Sequence, residues 1–141
     1  MLNIKRLHPE AIIPKRAYKD DSGLDLFAVE DVVLDVGKRT LVRTGWAMSI
    51  PSGYEIQIRS KSGMALKQGI IVYNSPGTVD CGFFSEVMVI LLNEGERDIV
   101  LLKGQKIAQM IINKVELWSP KEVDNIEDTE RGSNGFGSTG V

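Results

Sequence analysis

The chain has 141 residues, 43% of them hydrophobic and 26% charged, which suits one soluble globular domain with a real core. Its 17 Lys and Arg nearly balance 19 Asp and Glu, a formal charge of −2, so bulk attraction to nucleic acid or to an anionic membrane is not indicated. A single cysteine, Cys81, excludes an intrachain disulfide, a single histidine, His8, excludes a multi-histidine metal site, and no apolar run approaches membrane-spanning length.

The opening Met1-Leu2-Asn3-Ile4-Lys5-Arg6 lacks the long apolar segment of a signal peptide, so a cytoplasmic location is expected. His8, beside Pro9, reads as a surface residue. In Asp20-Asp21-Ser22-Gly23-Leu24-Asp25-Leu26, Asp25 has two readings. It could help place a divalent cation near phosphates, since Mg²⁺ takes few carboxylates, several waters and the substrate's own oxygens, or it could be a solvated acidic turn. Residues 32–36 and 40–50 read as half-buried strands, and Gly37-Lys38-Arg39-Thr40 is not a Walker-type loop. In Tyr54-Glu55-Ile56-Gln57-Ile58-Arg59 the apolar residues fall on one face and the polar ones on the other, the pattern of a half-buried strand.

One helix is predicted, over Ser62 to Gln68, with Ser62 as its cap, Met64 to Gln68 favouring it and Gly69 stopping it. The preceding Arg59-Ser60-Lys61-Ser62-Gly63 is either an anion site at the strand–helix junction or a purely structural cap. Next comes Asn74-Ser75-Pro76-Gly77-Thr78-Val79-Asp80-Cys81-Gly82-Phe83-Phe84, a loop or hairpin between apolar strands. Its backbone could read a base edge as a paired strand would, and Asp80 could orient and deprotonate a water, though a turn aspartate is more often only a turn former. Cys81, with one distant histidine, reads as a small buried filler and not as a catalytic thiol.

Residues 87–92 and 107–112 are apolar on both faces, as strands buried between two layers would be, and residues 98–102 read as another half-buried strand. Turn residues recur about every 8–12 positions, which predicts a sandwich or distorted barrel. After Pro120 the chain turns acidic and then glycine-rich: Arg131-Gly132-Ser133-Asn134-Gly135-Phe136-Gly137-Ser138-Thr139-Gly140-Val141. With little to bury, this stretch is expected to be mobile in the free protein. It is either a plain terminus or a phosphate clamp in which glycine N–H groups, Arg131, Ser138 and Thr139 hold phosphates and Phe136 stacks on a base.

Taken in order, five of these segments resemble the trimeric dUTPase family over nearly the whole chain. They are Ser22-Gly23-Leu24-Asp25-Leu26-Phe27-Ala28; Lys61-Ser62-Gly63-Met64-Ala65; Asn74 with Gly77-Thr78-Val79-Asp80; Gly104-Gln105-Lys106-Ile107-Ala108-Gln109; and Arg131 with Gly135-Phe136-Gly137-Ser138-Thr139-Gly140. Each alone is a weak signal; five in order are a strong one.

The resemblance implies an all-β distorted jelly-roll (β-clip) fold with one short helix, a single β-domain over residues 1–120 and a flexible tail over 121–141. It implies a homotrimer with sites at subunit interfaces, the tail completing a neighbour's site. The implied reaction converts dUTP and water to dUMP and pyrophosphate with Mg²⁺, which limits uracil in DNA and supplies dUMP for thymidylate synthesis. By that likeness Asp80 activates the water for in-line attack on the α-phosphate. Asn74, Gly77, Thr78, Val79, Phe83 and Met88 receive the deoxyuridine, Lys61, Ser62, Gly63 and Gln109 contact the phosphates, and Asp25 supports the metal through water. Phe136 and Gly137 cover the uracil while Arg131, Ser138 and Thr139 hold the γ end. No nucleic-acid or membrane partner is implied.

Three positions depart from the family pattern. Lys61 stands where arginine is usual and loses the bidentate fork. Phe83 replaces a tyrosine under the deoxyribose, keeping the ring, so sugar discrimination is expected to survive. Phe84 replaces a basic or polar residue. Rival readings are a dCTP deaminase of the same fold, with Glu86 as the nearest candidate acid/base but expected to face away, a non-catalytic nucleotide- or partner-binding module, and a Ser62 hydrolase activated by Lys61 or Lys67.

Overall fold

The computed structural model of the chain describes residues 1–135, 138 and 140. Ten strands and one helix follow in order: β1 (Asn3–Arg6), β2 (Leu24–Phe27), β3 (Val32–Leu34), β4 (Arg39–Ser49), β5 (Tyr54–Arg59), α1 (Ser62–Gln68), β6 (Ile70–Val72), β7 (Gly77–Val79), β8 (Glu86–Asn93), β9 (Ile99–Leu101) and β10 (Lys106–Lys114). They form two four-stranded sheets, ordered β1-β4-β8-β6 and β2-β10-β5-β7, and a two-stranded ribbon, β3-β9. All the pairings are antiparallel and most join strands distant in sequence, as a jelly-roll requires.

The core lies between the two sheets. Ile56 and Ile58 of β5, Leu26 of β2 and Met110 of β10 meet Trp46 and Met48 of β4, Val87, Val89 and Leu91 of β8, and Ile70 of β6, all at most 5% exposed. Alternation in β5 sends Ile56 and Ile58 inward and leaves Arg59 in solvent, as its sequence predicts. The buried side chains of Asn93 and Thr44 are satisfied: Asn93 donates to Leu34 O at 2.8 Å and Arg97 O at 2.9 Å and accepts from Gly95 N–H at 2.9 Å, while Thr44 Oγ1 donates to Val87 O at 2.6 Å. A register shift in β4 opposite β8 is accommodated by Gly45, whose φ is 75° and where a Cβ would stand 2.6 Å from Ala11 Cβ, so a side chain is excluded there.

Three expectations change. The helix spans Ser62–Gln68 as read, but its N-cap is Lys61 in extended conformation, with no side-chain cap bond, and no residue of it is buried. At its other end Gly69, φ 68°, closes the helix as expected. Of the strands read as buried on both faces, β8 is buried on one only. In β8, Val87, Val89 and Leu91 point inward, but Met88 is exposed and Ile90 and Leu92 are half-exposed, the alternation of a strand with one face on the core. In β10, Ile107, Ala108 and Met110 are buried, while Ile112, which pairs with Ile56 and so shares the face of Met110, is exposed near the strand's end. Cys81 is exposed as well: it lies in the loop after β7, which projects from the sheets with no layer above it.

The strand count is fixed by β10, which ends at Lys114, and residues 116–134 are all exposed. Leu117 and Trp118 in this stretch are 72% and 85% exposed, an unusual display for a chain with a well-filled core. Among the described residues, no helix is long and apolar enough to cross a membrane.

Candidate active site

Two clefts gather the residues singled out by sequence, and they share none of their lining. The first lies under the loop that follows β7. Thr78 and Val79 from β7, Asp80, Phe83, and Val87 and Met88 from β8 enclose about 170 Å³. β7 is an edge strand, bonded to β5 on one side only, so its other edge presents free N–H and C=O groups to the cleft. Gly77 opens this strand against Asn74: a Cβ at Gly77 would stand 2.9 Å from Asn74 Nδ2. Asn74 is thereby held at the head of the hairpin, exposed and outside the cleft's lining. The Asp80 carboxylate is exposed and has no hydrogen-bond partner among the described residues. Phe83 is also one wall of a larger apolar cavity of about 450 Å³ on its far side, bounded by Ile4, Met48, Ile50 and Phe84.

The second cleft, about 280 Å³ and mostly polar, is lined by Ala17, Asp21, Ser22, Gly23, Asp25, Lys61, Lys106 and Gln109. Its floor is the register row Asp25–Gln109–Arg59 across β2, β10 and β5. Gly23 packs closely against Gln109: a Cβ there would meet Gln109 Oε1 at 2.5 Å and oblige that side chain to move. Gln109 donates from Nε2 to Ser60 O at 3.0 Å, and Ser60 Oγ accepts from Val72 N–H at 2.8 Å. These two bonds fix the segment that carries Lys61. Ser62 and Gly63 follow at the exposed start of α1, beside the cleft but outside its lining.

Asp25 is the electrostatic centre of this cleft. It is 5% exposed and lies on β2, so it is not a solvated turn. Lys61 Nζ donates to Asp25 Oδ1, and Lys106 Nζ lies 2.6 Å from Asp25 Oδ2. Burial alone would raise the carboxyl's pKa. Hydrogen bonds from Lys106 and Lys61, with their charges, outweigh it together and hold the group below the usual carboxylate value. Asp21 also lines the cleft, so two carboxylates balance the two ammonium groups, and what the cleft offers a phosphate chain is the remaining N–H donors of Lys61 and Lys106.

A resident metal does not fit these residues as arranged. Both Asp25 oxygens already carry an ammonium, and no three His, Cys, Asp or Glu side chains gather into a metal-binding group among the described residues. Lys106 was not singled out by sequence. The signal for it was its place in the Gly104 to Gln109 motif, three residues before Gln109, where a bulge between Lys106 and Ala108 brings it to the same cleft.

The structure brings none of the described tail residues to either cleft. Arg131 is exposed and bonds only within the tail, from Nε to Asn134 O at 3.0 Å, and Ser138 is exposed. Phe136, Gly137 and Thr139 lie outside the described residues. Glu86, the acid/base that a deaminase would need, is already engaged. Its carboxylate accepts from Arg43 Nε at 3.1 Å and from Gly45 N–H at 2.8 Å, so it braces the irregular stretch of β4.

Known proteins resemble this chain in sequence and fold. A family model described as dUTPase matches residues 9–140. The deoxyuridine 5'-triphosphate nucleotidohydrolase of Gloeothece citriformis is 49% identical over 140 residues, 99% of this chain and 97% of that protein. That of Clostridium kluyveri is 47% identical over 140 residues, 99% of this chain and 98% of that protein. Among solved structures, a mutant dUTPase of Staphylococcus bacteriophage 80alpha, with dUpNHpp, superposes with a TM-score of 0.94 at 28% identity, covering 100% of this chain and 99% of that one. A mutant dUTPase of phage phi11 of S. aureus, described with a coordinated structural Mg(II) ion, gives 0.82 at 25% identity over 91% of this chain and 99% of that one. By fold, by motif order and by near full-length identity, the chain belongs to the dUTPase family.

Proposed function

We propose that Asp80 is the general base of a dUTP diphosphatase, activating a water for in-line attack on the α-phosphate and releasing dUMP and pyrophosphate. Hydrolysis of dUTP is the activity of the family to which the chain belongs. The observation that carries the residue assignment is the position of Asp80, unpartnered and exposed, in the cleft whose other walls are an open strand edge, Phe83 and Met88. A free strand edge offers alternating donors and acceptors that match a pyrimidine edge, Phe83 supplies a flat wall for the sugar, and a carboxylate with no ion pair is available to a water. Phosphoryl chemistry asks for alignment and charge neutralisation more than for an elaborate nucleophile, in keeping with a chain that has one histidine and one exposed cysteine.

The polar cleft takes the phosphates, through Lys61, Gln109 and the neighbouring Ser62 and Gly63. Magnesium enters with the substrate, as the Mg²⁺ complex of dUTP, since Mg²⁺ keeps several waters and takes phosphate oxygens readily. Asp25 therefore has no place as a direct ligand in the arrangement seen.

One site needs more than one chain. β2 and β7 are opposite edges of their sheet, three strand spacings or about 14 Å apart. Asp25 is level with Arg59, whereas Asp80 follows Val79, which pairs with Ile56, and so is level with Glu55, about 13 Å further along the strands. The diagonal, roughly 19 Å, is longer than a triphosphate can bridge between a base acting at its α-phosphate and a clamp on its other end. The phosphate cleft serving one Asp80 then belongs to another subunit. The outer face of β8 with Met88, Ile90 and Leu92, the exposed side of α1, and exposed Leu117 and Trp118 are surfaces for that association. We assign the assembly as a homotrimer in the cytoplasm, residues 1–120 forming the β-domain and 121–141 reaching a neighbour's site, where Arg131, Ser138 and Thr139 meet the γ end and Phe136 and Gly137 cover the base.

The test is pyrophosphate release from dUTP, dTTP, dCTP and UTP in parallel. Turnover of dUTP well above the other three is expected. Ammonia release from dCTP would overturn the assignment in favour of the deaminase, which the engagement of Glu86 by Arg43 and Gly45 already disfavours.

A further inference from the structure

The geometry points to Asp25 as a positioning residue, a buried carboxylate that holds the ammonium groups of Lys61 and Lys106 side by side in the polar cleft so that both meet the polyphosphate, Lys106 being a second cationic contact. The inference rests on the reading of that cleft as the phosphate site.

The three side chains come from three different elements. Asp25 is on β2, Lys61 is the N-cap of α1, and Lys106 opens β10, which pairs with both β2 and β5. Lysine side chains are flexible, and two like charges at one cleft repel each other. A carboxylate between them removes both difficulties. Each Asp25 oxygen receives one ammonium, and an ammonium has three N–H donors. One N–H on each lysine is used for Asp25, so two on each remain for phosphate oxygens. The side chains of Lys61 and Lys106 stay 27% and 45% exposed while that of Asp25 is 7% exposed, so the cations face the cleft and their anchor lies beneath them.

An Arg pair would carry its own planar fork and need less positioning. A Lys pair is a set of point charges whose placement depends on what holds the stems and the heads. Here the backbone ahead of Lys61 is fixed through Ser60, by Gln109 and Val72, and its head is fixed by Asp25. Removing the anchor therefore releases both cations at once, and the effect should be visible without any metal.

The experiment titrates the full-length protein with dUpNHpp in EDTA by calorimetry, comparing the unmodified chain with Asp25→Asn, Lys106→Met and the double variant, each checked for cooperative thermal unfolding. Each single variant is expected to weaken binding about tenfold or more, as expected on losing a charge-assisted contact. The double variant should lose less than the sum of the two single losses, because without its anchor Lys106 makes only part of its phosphate contact, and Asp25→Glu should recover part of the loss. With dUMP, which lacks the β- and γ-phosphates, all should bind like the unmodified protein.

Three results would overturn the proposal. One is wild-type affinity of Asp25→Asn for dUpNHpp in EDTA with loss only when Mg²⁺ is added, which would make the carboxylate a partner of the metal's waters. Another is strictly additive losses in the double variant. The third is an equal loss with dUMP, which would mean general collapse of the site. If Asp25→Asn does not fold, Lys106→Met still decides: unchanged affinity for dUpNHpp would remove Lys106 from the site. Failure of the unmodified protein to hydrolyse dUTP would fail the functional reading instead, and that assay is separate.

Discussion

The two clefts differ in how much of their work is already done. In the polar cleft, the side chains are tied to one another: Asp25 to Lys61 and Lys106, Gln109 to Ser60, and Gly23 packed against Gln109. In the hairpin cleft almost nothing is tied. Asp80 has no partner among the described residues, Phe83 stands between two cavities, and the edge of β7 is open. The contrast follows from the two jobs. A polyanion is best met by charges fixed before it arrives, since ordering them on binding would weaken the complex. A base and an attacking water need a space that closes only when the substrate is in it. The comparison says where substitutions should act on binding and where on turnover.

The largest effect is expected at Asp80. Asp80→Asn keeps the shape of the hairpin and removes the base, so pyrophosphate release should fall by roughly 10²–10⁴ while dUpNHpp still binds. Stopped-flow or coupled pyrophosphate assays with a parallel titration measure both. Turnover near that of the unmodified protein would take the base role away from Asp80. The next effect is expected from removing residues after Glu130. The shortened chain should keep its assembly and unfolding temperature, because residues 116–134 contribute nothing to the core, yet lose about a hundredfold or more in activity if the tail supplies phosphate contacts. Light scattering, melting and activity on the same sample check this, and full activity would reduce the tail to a plain terminus.

The same contrast explains what could be read in advance. Strand β5 and helix α1 were legible because their signals are local: strict alternation over Tyr54–Arg59, and good helix formers closed by Gly69. The fold and the polar cleft's members were legible through motif order. What the sequence hid was long-range. Nothing in Lys61 or Lys106 announces that both end on Asp25, because that meeting depends on β10 lying between β2 and β5. Apolar runs in residues 87–92 looked buried on both faces, since composition cannot say whether the second face is covered by the same chain or by another. Cys81 looked like a core residue because its type usually is one, and only the projecting loop overrides that prior.

A smaller effect is expected where the polar cleft depends on close packing. In Gly23→Ala the new methyl would collide with Gln109 Oε1, the far end of a flexible side chain, so the protein should fold with a loss of no more than about 1 kcal/mol. Gln109 would have to move, however, and its bond to Ser60 O, which helps hold the segment ahead of Lys61, would be disturbed. A severalfold rise in KM for dUTP with kcat little changed is the expected pattern, whereas an equal fall in kcat would show that this packing reaches the hairpin cleft too.

The smallest effect concerns the pH dependence of stability. Asp25 has a lowered pKa in the folded chain, despite its burial, because of the hydrogen bonds and charges of Lys106 and Lys61. An acid whose folded pKa lies below its unfolded value, about 3.9, contributes stability that is fully present above the unfolded value and lost as pH falls through the folded one. The melting temperature of the unmodified protein should therefore exceed that of Asp25→Asn by a constant margin from neutrality down to about pH 4, and the margin should close only at more acid pH. A margin that closes already near pH 6 would mean that the carboxylate binds its proton more readily than the two ammonium groups allow. The lysine pair would then be looser than the structure draws it, and the distinction between a preassembled phosphate cleft and an open hairpin would lose its electrostatic half.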